Sequence, residues 1–131
     1  MKTVLFVDDD EAFRQIFRRV FEDEGYRVLL AEDGMQAIGV VNAQSLDVVI
    51  LDVRMPRMGG LDVAEKINAI KPKIPIILYT ANDEICTIDR RARLAAACVD
   101  KSSDFTELAI AVSRVLSRGN QGDAFRFGLP Q

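Results

Sequence analysis

The residues best suited to chemistry in this sequence are acidic, and they follow short apolar runs. Three consecutive aspartates at positions 8–10 follow one such run, and Asp52 follows another. Carboxylates gathered within a few ångströms of one another repel strongly unless a cation lies among them. Oxygen ligands without nitrogen or sulfur partners favour Mg²⁺ or Mn²⁺. If these aspartates meet in the fold, they predict a divalent-metal site.

A hydroxyl and an ammonium group occupy comparable positions later in the chain, where Thr80 ends one apolar run and Lys101 follows another. Together they suit an anion that bridges to a metal, because phosphoryl transfer needs an acceptor oxygen, a metal and a nearby positive charge. Taken singly, each residue has a simpler explanation. Aspartates before a helix often cap it, and an aspartate at a strand end is often a turn residue. Their shared position at strand ends favours a single site.

Apolar periodicity predicts five strands that alternate with five helices. Continuous apolar runs predict strands, and apolar residues recurring every three or four positions predict amphipathic helices. The predicted strands are residues 4–7, 27–31, 47–51, 74–79 and 96–100. The first helix is predicted to end at Gly25, the fourth to include residues 85–95, and the fifth to end at Gly119. This order predicts an α/β fold, a parallel sheet with helices on both faces and its chemistry at the carboxyl ends of the strands.

Composition excludes several other classes of function. The 131 residues carry a net charge of −3, which argues against a nucleic-acid module. The sequence has no histidine, so a Ser-His-Asp triad is excluded, and Cys86 and Cys98 lack the spacing of metal ligands. We find no Gly-x-Gly-x-x-Gly or Walker motif, no apolar run of membrane-spanning length and no signal peptide. Nothing in the cysteine usage indicates an oxidising compartment.

Four ordered segments resemble the landmarks of response-regulator receiver domains, the phosphoacceptors of bacterial two-component systems. They are Val-Leu-Phe-Val-Asp-Asp at 4–9, Leu-Asp-Val-Arg-Met-Pro at 51–56, Tyr-Thr-Ala at 79–81 and Asp-Lys at 100–101. The resemblance implies a flavodoxin-like (βα)₅ sheet with strand order 2-1-3-4-5. It implies a receiver domain at residues 1–118, followed by a tail or linker at 119–131.

The resemblance also implies a role for each site residue. Asp52 would accept the phosphoryl group, Asp9 would bind Mg²⁺ (or Mn²⁺) directly, and Asp8 would act through a coordinated water. The remaining contacts would come from the backbone carbonyl of Arg54, from Thr80 and Lys101, and from N–H groups near Val53 and Ala81. The implied protein is cytoplasmic and phosphorylates only its own Asp52, so it is no enzyme in the usual sense.

The implied partners are proteins. A sensor histidine kinase or a phosphotransfer protein would supply the phosphoryl group, and an unidentified downstream protein would read the signal. Direct contact with nucleic acid or membrane is not expected. The domain would be a monomer, or a weak dimer through the face formed by the fourth helix, fifth strand and fifth helix.

Departures from the family pattern predict local differences. Lys101-Ser102 replaces Lys-Pro, so we expect a trans peptide bond there. Gly59-Gly60 replaces Asp-Gly and is expected to loosen its loop. Cys98 replaces the usual aromatic partner of Thr80 in the switch and is expected to be small and buried. Conformational change would then be confined mainly to residues 82–88. Arg54 and Asn82 occupy positions that tune the lifetime of the acyl phosphate in the family.

Two other functions are compatible with parts of the pattern. Asp8-Asp9-Asp10 contains the Asp-x-Asp of haloacid-dehalogenase-type phosphohydrolases, but Ala12 occupies the position where those enzymes have Thr or Val. A pseudo-receiver would have the same fold and act only as a docking surface without phosphorylation. The sequence leaves open whether the chain acts alone or belongs to a longer protein.

Overall fold

The computed structural model describes residues 1–82, 84–101 and 104–121, with side chains to residue 118. The strands are β1 (Thr3–Val7), β2 (Arg27–Ala31), β3 (Val48–Asp52), β4 (Ile76–Thr80) and β5 (Ala97–Asp100). The helices are α1 (Glu11–Asp23), α2 (Gly34–Ala43), α3 (Gly60–Ile70), α4 (Ile85–Ile88) and α5 (Thr106–Gln121). A 3₁₀ helix at Arg90–Leu94 follows α4.

The five strands form one parallel sheet in the order β2-β1-β3-β4-β5, which confirms the predicted fold. Every residue of β1, β3 and β4 is buried, as expected for central strands covered on both faces. Asp52 pairs with Tyr79, and Thr80 pairs with Asp100. This register brings the carboxyl ends of β3, β4 and β5 to the same edge of the sheet.

Two apolar clusters hold the helices against the sheet. The aromatic cluster on the α1 and α5 side contains Phe6 and Phe17, whose rings stack with centroids 4.1 Å apart, and Phe105 against them. The aliphatic cluster on the other side packs α2 and α3 against β1, β3 and β4. Helices held on both faces fix the position of the strand ends between them.

Helix ends largely follow local signals in the sequence. Asp10 caps α1 by accepting hydrogen bonds from the N–H groups of Ala12 and Phe13, and Gly25 follows the helix with φ of 95°. The fourth helix differs from the prediction, because α4 is a single turn and Asp89 separates it from the 3₁₀ helix. The last helix continues to Gln121 instead of ending at Gly119.

Some predictions concern residues outside the described part of the chain. The peptide bond between Lys101 and Ser102 and the tail from residue 122 onward fall in this group. Among the described residues, no helix combines the length and the apolar character needed to cross a membrane.

Candidate functional site

The first part of the site is the acidic segment that connects β1 to α1. Asp8 is fully buried, and its Oδ1 accepts a hydrogen bond from the N–H of Asp10 at 2.8 Å. Nη1 of Arg14 donates to the backbone carbonyl of Asp8 at 2.8 Å. Asp9, in contrast, is exposed. The segment therefore presents one buried and one accessible carboxylate at the strand edge.

Asp52 is the last residue of β3 and is only 4% exposed. Its Oδ1 accepts a hydrogen bond from the N–H of Arg54 at 3.2 Å. Burial and the nearby negative charge of Asp8 raise the pKa of Asp52 to about 6, although Lys101 and the Arg54 N–H oppose that rise. The carboxylate is therefore held in a place where its negative charge is costly without further positive charge.

The carboxylates of Asp8, Asp9 and Asp52 converge. One oxygen from each lies within 4.8 Å of the others. All three donors are hard carboxylate oxygens, a donor set that fits Mg²⁺ or Mn²⁺ and contains no nitrogen or sulfur ligand to favour zinc. The cluster has the chemistry of a divalent-cation site.

Lys101 supplies positive charge at the same place. Its Nζ lies 3.0 Å from Oδ2 of Asp8 and 3.1 Å from Oδ2 of Asp52, and 4.7 Å from the ring centroid of Phe13. Burial alone would lower the pKa of Lys101, but its contacts with the two carboxylates outweigh burial and raise it. The ammonium group therefore stays charged and bridges the two aspartates.

Thr80 completes the wall of the site at the end of β4. Its side chain is buried, and its Oγ accepts a hydrogen bond from the N–H of Asn82 at 3.1 Å. A cleft of about 480 Å³ is lined by the following residues: Asp8, Asp9, Asp10, Asp52, Arg54, Thr80, Ala81 and Lys101. The cleft is large enough for a small anion beside a metal ion.

Comparison with known proteins identifies the family. A sequence model of the response regulator receiver domain matches residues 4–113. The chain belongs to this family. Curated response regulators named MprA are 36% identical to the receiver domain. The alignment covers 88% of this chain and 47% of the protein from Mycolicibacterium vanbaalenii, and 92% of this chain and 54% of the protein from Mycobacterium leprae. The chain thus spans about half the length of these relatives.

Solved receiver structures share the fold. Response regulator TrrA from Thermotoga maritima, crystallised in complex with Mg²⁺-BeF, is 36% identical and superposes with a TM-score of 0.83, covering 88% of this chain and 99% of that one. A second TrrA structure is a complex with the histidine kinase ThkA. Chemotaxis protein CheY4 from Vibrio cholerae is 28% identical, with a TM-score of 0.82 over 88% of this chain and 98% of that one.

Most of the predicted site residues of this receiver domain lie together, but Cys98 does not follow the prediction. Asp8, Asp9, Asp52 and Lys101 line one cleft, together with Thr80 and Arg54. Asn82 is exposed, and its N–H donates to the hydroxyl of Thr80, two residues earlier. Cys98 is exposed and forms a disulfide with Cys86, so the expectation of a small, buried core residue was wrong. Its position in the edge strand β5 explains the exposure.

Gly60 begins α3 directly against the end of β3, and the expected loosening of the Gly59-Gly60 loop stays a prediction. Gly60 is buried, and its N–H donates to the carbonyl of Val53 at 2.9 Å. A Cβ atom at position 60 would collide with the backbone of Asp52 and Val53. The absence of a side chain therefore allows α3 to begin directly against the strand end that carries Asp52.

Two residues of the site were not predicted from the sequence. Arg14 fixes the Asp8 carbonyl, and Phe13 lies beneath the Lys101 ammonium. Both lie on the first turns of α1, directly after the acidic segment. Their closeness to residues 8–10 in the sequence could have indicated a role in the site. However, an amphipathic helix commonly has apolar and charged residues at such positions without any functional role.

Proposed function

We propose that this receiver domain is a Mg²⁺-dependent phosphoacceptor and that Asp52 is its phosphorylated residue. The observation that carries the proposal is the position of Asp52, which is buried at the end of β3, close to two other carboxylates and 3.1 Å from the Lys101 ammonium. Deep burial leaves few ways to stabilise its charge, and a bound cation is the most direct one. The same cation would neutralise an incoming phosphoryl group.

The proposed reaction is the transfer of a phosphoryl group to a carboxylate oxygen. An oxygen of Asp52 attacks phosphorus, and the bond between phosphorus and the donor's leaving atom breaks. The donor is a phosphohistidine of a sensor kinase or of a phosphotransfer protein. The histidine kinase complex of TrrA supports a partner of that class for this chain. The chain modifies only itself and turns over no separate substrate.

The metal would be held by Asp8, Asp9, Asp52 and the backbone carbonyl of Arg54, with Asp8 acting through a coordinated water. When bound, Mg²⁺ supplies charge neutralisation for the phosphoryl oxygens. The Mg²⁺-BeF complex of TrrA supports this choice of cation. The three carboxylates in this chain supply the donor set that such an ion prefers.

Thr80 and Lys101 would bind the phosphoryl oxygens, with help from the N–H groups of Val53 and Ala81. Thr80 already controls the start of the following loop, because its Oγ is hydrogen-bonded to the Asn82 backbone. Movement of its hydroxyl toward a phosphoryl group would release that contact. The loop before α4 would therefore report phosphorylation to a partner protein.

The proposal also covers the extent of the domain, its location in the cell and the form of its output. We place the receiver at residues 1–118 and a tail or linker at 119–131, and we place the protein in the cytoplasm. Its output is contact with another protein, as a monomer or as a weak dimer through the face of α4, β5 and α5. Arg54 and Asn82 would tune the lifetime of the acyl phosphate.

Intact-mass spectrometry after treatment with acetyl phosphate and Mg²⁺ tests the proposal. Wild-type protein is expected to gain one phosphoryl group, and Asp52→Asn to gain none. Asp23→Asn is the matched control, because Asp23 is an exposed carboxylate at the end of α1 and should not affect labelling. Equal labelling of Asp52→Asn, or full labelling in excess chelator, would contradict the assignment.

A further inference from the structure

The disulfide between Cys86 and Cys98 links α4 to β5, two elements that the 3₁₀ helix separates in the chain. Cys86 lies in α4 and Cys98 in β5, twelve residues later, and their Cα atoms are 6.5 Å apart, within the usual range for disulfides. These are the only two cysteines of the sequence, so no alternative intramolecular pairing exists. Their side chains are thus positioned to bond when oxidised and to separate when reduced.

In the part of the chain that the structure describes, α4 has few other contacts that would hold it against the sheet. It consists of four residues, none of them fully buried, and a one-turn helix is unstable on its own. Ile85 and Cys86 are only partly buried against the aliphatic cluster, and Ile88 is 73% exposed. The bond to Cys98 is therefore a principal restraint on the position of this helix.

Small molecules can reach the pair. Cys98 is exposed, because β5 is an edge strand that pairs only with β4. Thiol–disulfide exchange requires a thiolate to approach one sulfur of the bond, and accessible disulfides are the ones that exchange readily. Cys98 is the exposed residue of the pair and offers that approach, whereas Cys86 is half-buried.

We infer that Cys86 and Cys98 form a reversible redox site, whose oxidation by a low-molecular-weight disulfide fixes α4 to β5. In the reductive direction, a small thiolate attacks Sγ of Cys98, the Cys86–Cys98 bond breaks, and Cys86 leaves as a thiolate that takes up a proton. A second small thiolate then attacks the small-molecule sulfur of the mixed disulfide, the bond to Cys98 breaks, and Cys98 leaves as a thiolate that takes up a proton. The products are two protein thiols and one small-molecule disulfide, and oxidation is the reverse.

The redox site is connected to the candidate phosphorylation site. The Thr80 hydroxyl is hydrogen-bonded to the Asn82 backbone, and the N–H of Ile85, the first residue of α4, donates to the Asn82 carbonyl at 3.4 Å. On β5, Cys98 lies two residues before Asp100, the partner of Thr80 in the sheet. Oxidation therefore restrains the segment that would move with Thr80, a consequence that rests on the proposed function.

Exchange in glutathione buffers of increasing oxidised fraction tests the redox site itself. The protein is quenched with N-ethylmaleimide, and its intact mass reports free thiols, the disulfide and mixed disulfides. As the fraction of oxidised glutathione rises, wild type is expected to change from two maleimide adducts to none, with the internal disulfide as the product. Two adducts at every ratio, or mixed disulfides without the internal bond, would overturn the inference.

Amide hydrogen exchange tests the structural consequence without depending on phosphorylation. Oxidation of wild type is expected to slow exchange across residues 84–95 about tenfold, because closing the loop removes open conformations of this segment. Cys86→Ser and Cys98→Ser are matched controls that should exchange at the rate of the reduced protein under both conditions. Equal exchange in oxidised and reduced wild type would overturn the inference.

Adding Mg²⁺ and beryllofluoride separates the two proposals. Oxidised wild type is expected to show a smaller change in exchange at residues 82–88 than the reduced form, and an equal change in the two forms would refute the coupling. Absence of any change in both forms would contradict the phosphoacceptor function. In that case the exchange difference between the oxidised and reduced apo forms would still support the redox site.

Discussion

Replacing Asp52 with asparagine should stabilise the metal-free protein, although Asp52 is the proposed functional residue. The wild-type carboxylate is 4% exposed and faces a second buried carboxylate, Asp8. Asparagine has nearly the same shape and no charge. The substitution does not leave Lys101 without a partner, because its Nζ remains 3.0 Å from Asp8. The net effect should therefore be relief of repulsion and of the cost of burying a charge.

The raised pKa sets the size of the effect. Asp52 has a pKa of about 6 in the folded protein, against an ordinary value of 3.8. The folded state therefore disfavours the ionised form, at a cost of about 3 kcal/mol near pH 7.5. As the pH falls through the folded-state pKa the carboxylate becomes protonated, and the cost drops to about 1.5 kcal/mol near pH 5. The stability advantage of Asp52→Asn over wild type should therefore decrease as the pH falls.

Thermal and urea unfolding in excess chelator measure this difference. At neutral pH we expect the melting temperature of Asp52→Asn to exceed that of wild type by up to about 10 °C. Asp23→Asn, which removes an exposed carboxylate, should change stability by no more than about 0.5 kcal/mol. Equal or lower stability of Asp52→Asn near pH 7.5, or an advantage that grows on acidification, would refute the electrostatic reasoning.

Two further substitutions test the metal site and the surface beside it. Asp9→Asn should weaken Mg²⁺ binding by about tenfold or more, because Asp9 is the accessible carboxylate of the three; unchanged affinity in a calorimetric titration would exclude Asp9 as a ligand. Arg54→Ala should speed loss of the acyl phosphate severalfold, since Arg54 borders the cleft, whereas Arg57→Ala should not, since Arg57 faces Asp33 at 4.0 Å. Equal dephosphorylation rates for the two variants would exclude shielding by Arg54.

The position of the site could be predicted because a parallel sheet has only one carboxyl edge. Once residues 4–7, 47–51 and 74–79 are identified as strands, Asp8, Asp52 and Thr80 must lie at that edge. The distances between side chains could not be predicted in this way. The contacts of Lys101 with Asp8 and Asp52 depend on the path of the chain after β5, which no local pattern specifies.

The fourth helix could not be predicted correctly from periodicity. Ile85, Ile88, Ala92 and Ala95 have helical spacing, but the side chain of Asp89 accepts a hydrogen bond from the N–H of Arg91 at 2.9 Å. Such a local bond competes with a continuous helix and begins the 3₁₀ helix instead. Nη1 of Arg91 also contacts Asp62 of α3 at 2.6 Å, a tertiary interaction that sequence spacing does not reveal.

The disulfide also could not be predicted from the sequence, because it depends on tertiary structure. A separation of twelve residues allows Cys86 and Cys98 to be close or distant, and only the short α4 and the edge position of β5 bring their Cα atoms within bonding range. The expectation of a buried Cys98 relied on the general preference of cysteine for the core. That preference does not apply to a side chain on an open sheet edge that faces a one-turn helix.

The electrostatics of the cleft explain why phosphorylation should require a metal. Lys101 is shared by Asp8 and Asp52, so it cannot turn toward a phosphoryl group without leaving two buried carboxylates uncompensated. A divalent cation held by the carboxylates would supply the charge that Lys101 otherwise provides. The Lys101 ammonium group would then be free to bind the incoming anion. The raised pKa of Asp52 and the proposed metal requirement would thus have a common origin in the burial of negative charge at the end of β3.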